Sequence, residues 1–430
     1  MDKINTLDET AVSNFRTYLR FNTVHPHPNY ESAVAWICEQ AEQLDLTTFR
    51  TEIVAGNPVV VLRWVGSEPE LRSVLLNSHM DVVPVDEAKW SHPPFGATLA
   101  NDGCIYARGS QDMKCVGIQQ LEAIRRLKAR GISQLRRTIY LTFVPDEELG
   151  GRFGMQRFVA DEKPSSDHLL NEISFSDLNV GFCLDEGIAS PTDEYLAFYD
   201  ERRPCWTTVR IDGSAGHGLT LLDNTAGEKF QKFLDRMMHF RAEEKLRLEQ
   251  STGQLTLGDV TSVNLTMLGG GVQHNVLPSS LTACFDVRLT PSLPLENWQK
   301  MMTTWADEAG GGFTFEYVNI GVDVWHTVPV PDPQTDPMWR ALYQVCKKAG
   351  IPVSQRIFPG STDARFIRQY HLMPNARPNS EPIQAIGFSP MRRTPVLLHD
   401  HDERLSVDQF LLGCYVYTDL LYELGQMPSR

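Results

Sequence analysis

The first half of the chain alternates short apolar runs with amphipathic stretches. Residues 58–64, 73–77, 138–144 and 180–184 are β-branched or aromatic runs of strand length. Between the second and third, Val116, Leu121, Ile124 and Leu127 recur at helical spacing. Lys128 and Arg130 then complement a helix C-terminus, and Gly131 supplies the residue that ends it. Strands separated by helices predict an α/β domain with a mostly parallel central sheet. After about residue 195 the pattern becomes β-rich, with strands over 196–199, 206–211, 260–265, 281–289 and 313–317 and helices over 224–248 and 295–308. That is an α+β module. From about residue 329 helices and strands alternate again, as they would if the chain returned to the first sheet. The expected organisation is one domain from residues 1–194 and 325–430, interrupted by an inserted module at 195–324. Residues 373–384, with Pro374, Pro378 and Pro382, are the most loop-like stretch.

Composition narrows the function. A chain of 430 residues is long enough for two domains. Forty Lys and Arg against 54 Asp and Glu leave a net charge of −14, which repels phosphate backbones and argues against a nucleic-acid partner. The N-terminus lacks the basic start and apolar core of a secretory signal, and no apolar run reaches membrane-spanning length, so the expected compartment is the cytosol. Eight cysteines are scattered without a C-x-x-C pair, a distribution that suits reduced core thiols.

Five acidic or histidine clusters fall at predicted strand ends or in the loops after them, where ligands bind in open α/β sheets. Ser78-His79-Met80-Asp81 follows the second apolar run. Residues i and i+2 of an extended segment share a face, so His79 can bind a metal while Asp81 orients it. The loop before the first helix delivers Asp112, either as an N-cap or as a carboxylate whose two oxygens serve two ions. Glu147 and Glu148 precede two glycines, and neighbouring carboxyls there can divide the work of ligand and proton acceptor. Glu186 ends the fourth run, and Leu397-Leu-His399-Asp-His401-Asp-Glu403 lies near the C-terminus. Each cluster alone has a bland reading as solvated surface or a cap. Together they offer the mixed nitrogen and oxygen donors that zinc accepts. No nucleophile elbow, phosphate loop or dinucleotide fingerprint competes with them.

The segments 78–85, 105–115, 143–151, 184–189 and 387–404 resemble those of the dizinc M20 metallopeptidase family, and in particular its aminoacylases. The resemblance runs over essentially the whole chain. It implies a zinc-peptidase-like catalytic domain with an inserted dimerisation or lid domain. It further implies that His79 and Glu186 bind one Zn²⁺, Glu148 and His399 the other, and that Asp112 bridges them. Asp81 would support His79, Glu147 would be the general base, and the peptide bond after Asp112 would be cis. Two divalent ions would be neutralised by the three ligand carboxylates and one hydroxide. In the inserted module the resemblance makes His217 a histidine that reaches the partner's active site across a homodimer, and Asn275 and Arg288 a substrate-binding pair. Arg365 is a further candidate for the same substrate carboxylate, which guanidinium groups suit by their paired donors. The implied reaction is zinc-dependent hydrolysis of N-acyl-L-amino acids, such as N-acetyl-methionine, through a metal-activated water between the ions. Two departures from the family, the 373–384 stretch and Gln273-His274, bear on substrate range.

Two rival readings remain at this level. A dipeptidase or carboxypeptidase would use the same residues. A catalytically silent dimeric binding module would have lost a ligand or the base, whereas every such position here keeps a competent side chain.

Overall fold

Three apolar runs have no exposed position at all. Ser73–His79, Ile139–Val144 and Val180–Asp185 are buried along their full length, as strands covered on both faces must be. The computed structural model describes residues 2–162, 172–318, 328–377 and 381–429. In it these runs form the middle of an eight-stranded sheet. The order across it is Thr47–Val54, Asn57–Trp64, Ile139–Val144, Ser73–His79, Val180–Asp185, Gln384–Phe388, Tyr195–Glu201 and Val353–Phe358. The four strands from Ile139–Val144 to Gln384–Phe388 run parallel. The pairings outside them, at Thr47–Val54, Asn57–Trp64 and Tyr195–Glu201, are antiparallel.

Parallel neighbours send their carboxyl ends to the same edge, which collects the loops at 79–81, 145–151 and 186–189 in one place. The helix Lys114–Ala129 crosses between Ser73–His79 and Ile139–Val144 and packs against Asp2–Leu19 and Val407–Gly425. Gly117 permits its close approach to the sheet, since a Cβ there would stand 2.8 Å from Ser78 Oγ. A small three-stranded sheet of Thr98–Leu99, Cys104–Tyr106 and Arg404–Ser406 brings the C-terminal histidine segment beside the loop that precedes this helix.

The chain divides into two compact units, one of Met1–Tyr199, Val330–Gln355 and Thr362–Arg430, the other of Asp200–Pro329 and Arg356–Ser361. The first division falls after Tyr199 instead of after residue 194, because Tyr195–Glu201 pairs with Gln384–Phe388 in the large sheet. The expected return at 324–325 lies outside the described residues, as do 378–380 of the loop-like stretch.

The second unit has its own antiparallel sheet, ordered Ser262–Gly270, Ser280–Leu289, Trp206–Asp212, Phe313–Val318. Trp206–Asp212 alternates exposed and buried positions, so one face meets a core containing Phe233, Met237, Trp298 and Met302 from the helices Ala226–Gln250 and Leu295–Glu308. Among the described residues no helix is long and apolar enough to cross a membrane.

Candidate metal centre

His79 is the last residue of its strand and is fully buried. Glu147 and Glu148 follow Ile139–Val144 within a turn bounded by Asp146, φ 71°, and Gly150, φ 98°, so the chain reverses within a few residues. Glu186 follows Val180–Asp185 directly. Asp112 lies just ahead of the helix Lys114–Ala129, whose N-cap is Met113, and the Asp112–Met113 peptide is cis. His399, with φ 61°, arrives from the C-terminal segment.

These five side chains converge. His79 Nε2 lies 3.1 Å from Asp112 Oδ1 and 3.8 Å from Glu186 Oε2. His399 Nε2 lies 3.3 Å from Asp112 Oδ2 and 3.0 Å from Glu148 Oε2. Asp112 therefore turns one oxygen toward each imidazole, the disposition a carboxylate between two cations requires. Glu147 joins the first half, where donor atoms of His79, Glu147 and Glu186 lie within 4.8 Å of one another; those of His79, Asp112 and Glu148 do the same.

The electrostatics call for positive charge. Burial, and after it the nearby Glu186 carboxylate, pushes Glu147 well above the usual carboxylate range. Burial and the Asp112 carboxylate raise Glu148 to about 7, and the same two causes raise Glu186. Burial also acts against Asp112 ionising, but hydrogen bonds from His399 and His79 outweigh it and hold that carboxyl low. Hydrogen bonds to Asp112 and Glu148 raise His399 to about 10. Carboxylates crowded at this spacing repel unless protons or cations join them. Glu148 Oε1 is buried without a hydrogen-bond partner, an orphan acceptor that a cation would satisfy. Mixed imidazole and carboxylate donors suit a borderline ion such as zinc, and the fit holds for both halves.

Two buried carboxylates fix the loops. Glu403 accepts from Arg108 Nη1 at 2.8 Å and from the main-chain N–H groups of Gly109, Gln111 and Asp112, so it holds the segment that presents Asp112. Asp81 accepts from the N–H groups of Glu147 and Glu148 and from His25 Nε2. Its relation to His79 differs from the sequence expectation. The ring's Nδ1 meets the Asp81 main-chain carbonyl at 2.9 Å, while the nearer carboxylate oxygen is 3.7 Å away. The carboxylate is drawn off toward the 147–148 turn, where main-chain donors would otherwise be unsatisfied.

His401 Nδ1 is buried without a hydrogen-bond partner. Arg365 is buried and gives Nη2 to the Gly150 carbonyl at 2.8 Å, with Nε and Nη1 unpartnered. Asp363, two residues earlier, is buried with both oxygens unpartnered; burial and then Asp185 raise its carboxyl well above the usual range. Glu403, His25 and Asp363 carried no separate assignment from sequence. Glu403 and Asp363 stand in segments that the sequence singles out, whereas His25 does not.

In the second unit His217 is exposed and pairs with Val276 in a short antiparallel bridge. Its Nδ1 accepts from Leu219 N–H at 3.2 Å, which leaves the ring proton on Nε2. Asn275 is exposed, its Oδ1 accepting from Gln273 Nε2. Arg288 is half-buried and already forks onto Asp286 through Nε and Nη2, at 2.8 and 3.3 Å.

A family model described as Peptidase family M20/M25/M40 matches residues 75–423. The chain belongs to this family. Among its M20 relatives, aminoacylase-1 of Sus scrofa is 46% identical over 422 residues, covering 98% of this chain and 97% of that protein. An M20 metallo-carboxypeptidase from Sulfolobus solfataricus shares the fold with a TM-score of 0.70 at 16% identity, over 97% of this chain and 99% of that one. A Bacillus subtilis protein described as a dinuclear metal-binding peptidase of the M20 family does so with a TM-score of 0.63 at 13% identity, over 98% and 99%.

The Glu403 arrangement generates a test. Glu403→Ala leaves Arg108 buried without its partner and frees three N–H donors, and should destabilise the protein by about 3–5 kcal/mol. Thermal melts with metal analysis should find a lowered melting temperature and reduced metal content. A stable variant with full metal would remove Glu403 from the support of Asp112.

Proposed function

We propose that the protein is a zinc-dependent N-acyl-L-amino-acid amidohydrolase. The observation that carries the reading is the convergence of His79, Asp112, Glu148, Glu186 and His399 around Asp112's two oxygens, with Glu147 beside His79 and Glu186. Close relatedness to aminoacylase-1 along nearly the full chain supports the substrate class. His79 and Glu186 would hold one Zn²⁺, Glu148 and His399 the other, and Asp112 would serve both. When bound, the ions polarise the amide carbonyl and acidify a water.

The chain's own residues do the rest. Glu147, its carboxyl made basic by burial and by Glu186, takes the proton of the attacking water and returns it to the leaving nitrogen. The Asp81 carboxylate holds the N–H groups of Glu147 and Glu148 and so keeps the base on station. In the second unit, Arg288 offers its guanidinium to the substrate α-carboxylate with Asn275 as a neighbouring donor, and Asp286 pre-orders the Arg288 plane. Arg365, with two buried N–H donors unpartnered, is a further anion group.

A homodimer with His217 acting in the partner's site completes the reading. Ser262–Gly270 is an edge strand in the described sheet and exposes Leu265, Met267 and Leu268, which favours covering by a second copy. His217, whose Nδ1 accepts from Leu219 N–H, has Nε2 as the ring nitrogen that can donate to an oxyanion. The cytosol suits eight cysteines, all of them unpaired.

Glu147→Gln should retain two zinc ions per subunit but lose hydrolysis of N-acetyl-methionine by at least ~10²-fold, while chelation should silence the wild type and zinc restore it. Unimpaired turnover in the variant would exclude Glu147 as the base, and activity that survives chelation would exclude the metal reading. Arg288→Ala should raise KM for N-acetyl-methionine by ~10- to 100-fold and leave its methyl ester much less affected. Equal losses on the two substrates would overturn the assignment. Mixed subunits test the trans histidine: reassorting inactive Glu147→Gln and His217→Ala proteins should recover about a quarter of wild-type activity, because each hybrid dimer contains one whole site. No recovery in hybrids of demonstrated composition would put His217 in its own subunit's site or outside the reaction.

A further inference from the structure

The segment Thr23-Val-His-Pro carries no catalytic motif, yet it is stitched directly onto the loop behind the metal centre. Val24 bridges Val82 in parallel register, His25 N–H donates to the Val82 carbonyl at 3.1 Å, and Val82 N–H donates to the Thr23 carbonyl at 3.2 Å. The Thr23 hydroxyl closes on the Met80 carbonyl at 2.6 Å. The 23–25 backbone is thereby registered against 80–82, and the register aims one side chain. His25, almost wholly buried, places Nε2 2.8 Å from Asp81 Oδ2.

Asp81 Oδ2 also accepts from Glu148 N–H at 3.1 Å, and Oδ1 from Glu147 N–H at 3.3 Å. The carboxylate thus joins three donors from two distant parts of the chain. The other ring nitrogen, His25 Nδ1, is buried with no hydrogen-bond partner. A histidine serving only to fill space would be a poor choice there, because an aliphatic side chain avoids desolvating a polar atom that nothing satisfies. The use of the ring lies in Nε2.

We infer that His25 is a positioning residue for the hydrolysis: it locks the Asp81 carboxylate onto the 147–148 turn and so fixes where the Glu147 side chain begins. The inference rests on the proposed amidohydrolase reading for its kinetic consequence, though not for the geometry. Without the Nε2 donor, Asp81 loses one of the two contacts to Oδ2 and is free to swing toward His79 Nδ1, 3.7 Å from Oδ1. The turn carrying Glu147 would then be held less tightly, while the ligand atoms themselves stay supported by their strands and by Glu403. Misplacing a reacting group by a fraction of its hydrogen-bond length affects the chemical step more than substrate binding.

The test compares zinc-loaded wild type with His25→Leu and His25→Gln, the second of which reaches the Nε2 position with an amide N–H. His25→Leu should lower kcat on N-acetyl-methionine by about 10- to 100-fold with KM changed less than about threefold and zinc content intact. In the same protein, hydrogen exchange of the Glu147 and Glu148 amides should accelerate by about tenfold, because their acceptor is released. His25→Gln should recover most of both losses. Wild-type kcat and exchange in His25→Leu would overturn the inference, as would a Gln variant no better than Leu, or a loss of kcat that merely tracks a loss of zinc. If the wild type does not hydrolyse N-acyl amino acids, the functional reading fails instead, and the exchange measurement alone decides whether His25 secures the turn.

Discussion

Four carboxylates and two imidazoles crowd together in overlapping groups whose neighbouring donor atoms lie within 4.8 Å of one another, and carboxylates at that spacing cannot all ionise unless cations join them. The fold is arranged to impose this crowding. Four of these groups, His79, Glu147, Glu148 and Glu186, leave the carboxyl ends of three neighbouring parallel strands, where direction and register bring them to one edge. Parallel strands this apolar are buried on both faces, so the edge is rigid and its loops are short. Charge concentrated on such an edge acts as a preformed receptor for two divalent ions and resists the collapse that a flexible loop would undergo.

Rigidity at the sheet does not extend to loops without further anchoring, and the protein uses the same device twice. Glu403 collects the N–H groups of 109, 111 and 112 together with Arg108; Asp81 collects those of 147 and 148 together with His25. Each buried carboxylate satisfies main-chain donors that would otherwise be stranded, and each is balanced by a nitrogen base from elsewhere in the chain. The loops that carry Asp112 and Glu147 are therefore held through their backbones, which leaves the functional carboxylates themselves free for ions or protons. An anchor bonded to the side chains would have competed with the chemistry.

The apolar runs at 73–77, 138–144 and 180–184 were legible because burial on both faces leaves a nearly unbroken hydrophobic signature. Which sheet a strand joins was less legible. Leu196 to Tyr199 reads as a strand, but nothing local reveals that it pairs with Gln384–Phe388 instead of with its successors, and the short return of Arg356–Ser361 to the second unit has no signature at all. Of the site, the residues now found around Asp112 could be named because they stand in distinctive segments at strand ends. The anchors could not be assigned, because Glu403 meets Gln111 across 292 residues of sequence and His25 meets Asp81 across 56. Asp81 shows the limit most clearly: i, i+2 spacing correctly links it with His79, yet the link is through its carbonyl, since main-chain donors of the 147–148 turn claim the carboxylate.

Selectivity has to be built from different material. A pair of ions that polarises an amide carbonyl does so for any acyl group and any amine, so the centre alone does not separate an N-acyl amino acid from a dipeptide. What distinguishes them is the free α-carboxylate at one end and the presence or absence of a charged amine at the other. On the proposed reading Arg288 would answer the first need with a fork-shaped donor whose plane Asp286 already fixes, leaving less rotamer freedom to lose when an anion arrives. That pairing also tempers the positive charge, so recognition rests on geometry as well as attraction. Arg365, beside the 147–151 turn, is the opposite case: its guanidinium is buried, one nitrogen is given to the Gly150 carbonyl and two others have no hydrogen-bond partner, so on the proposed reading an incoming oxygen would complete its set.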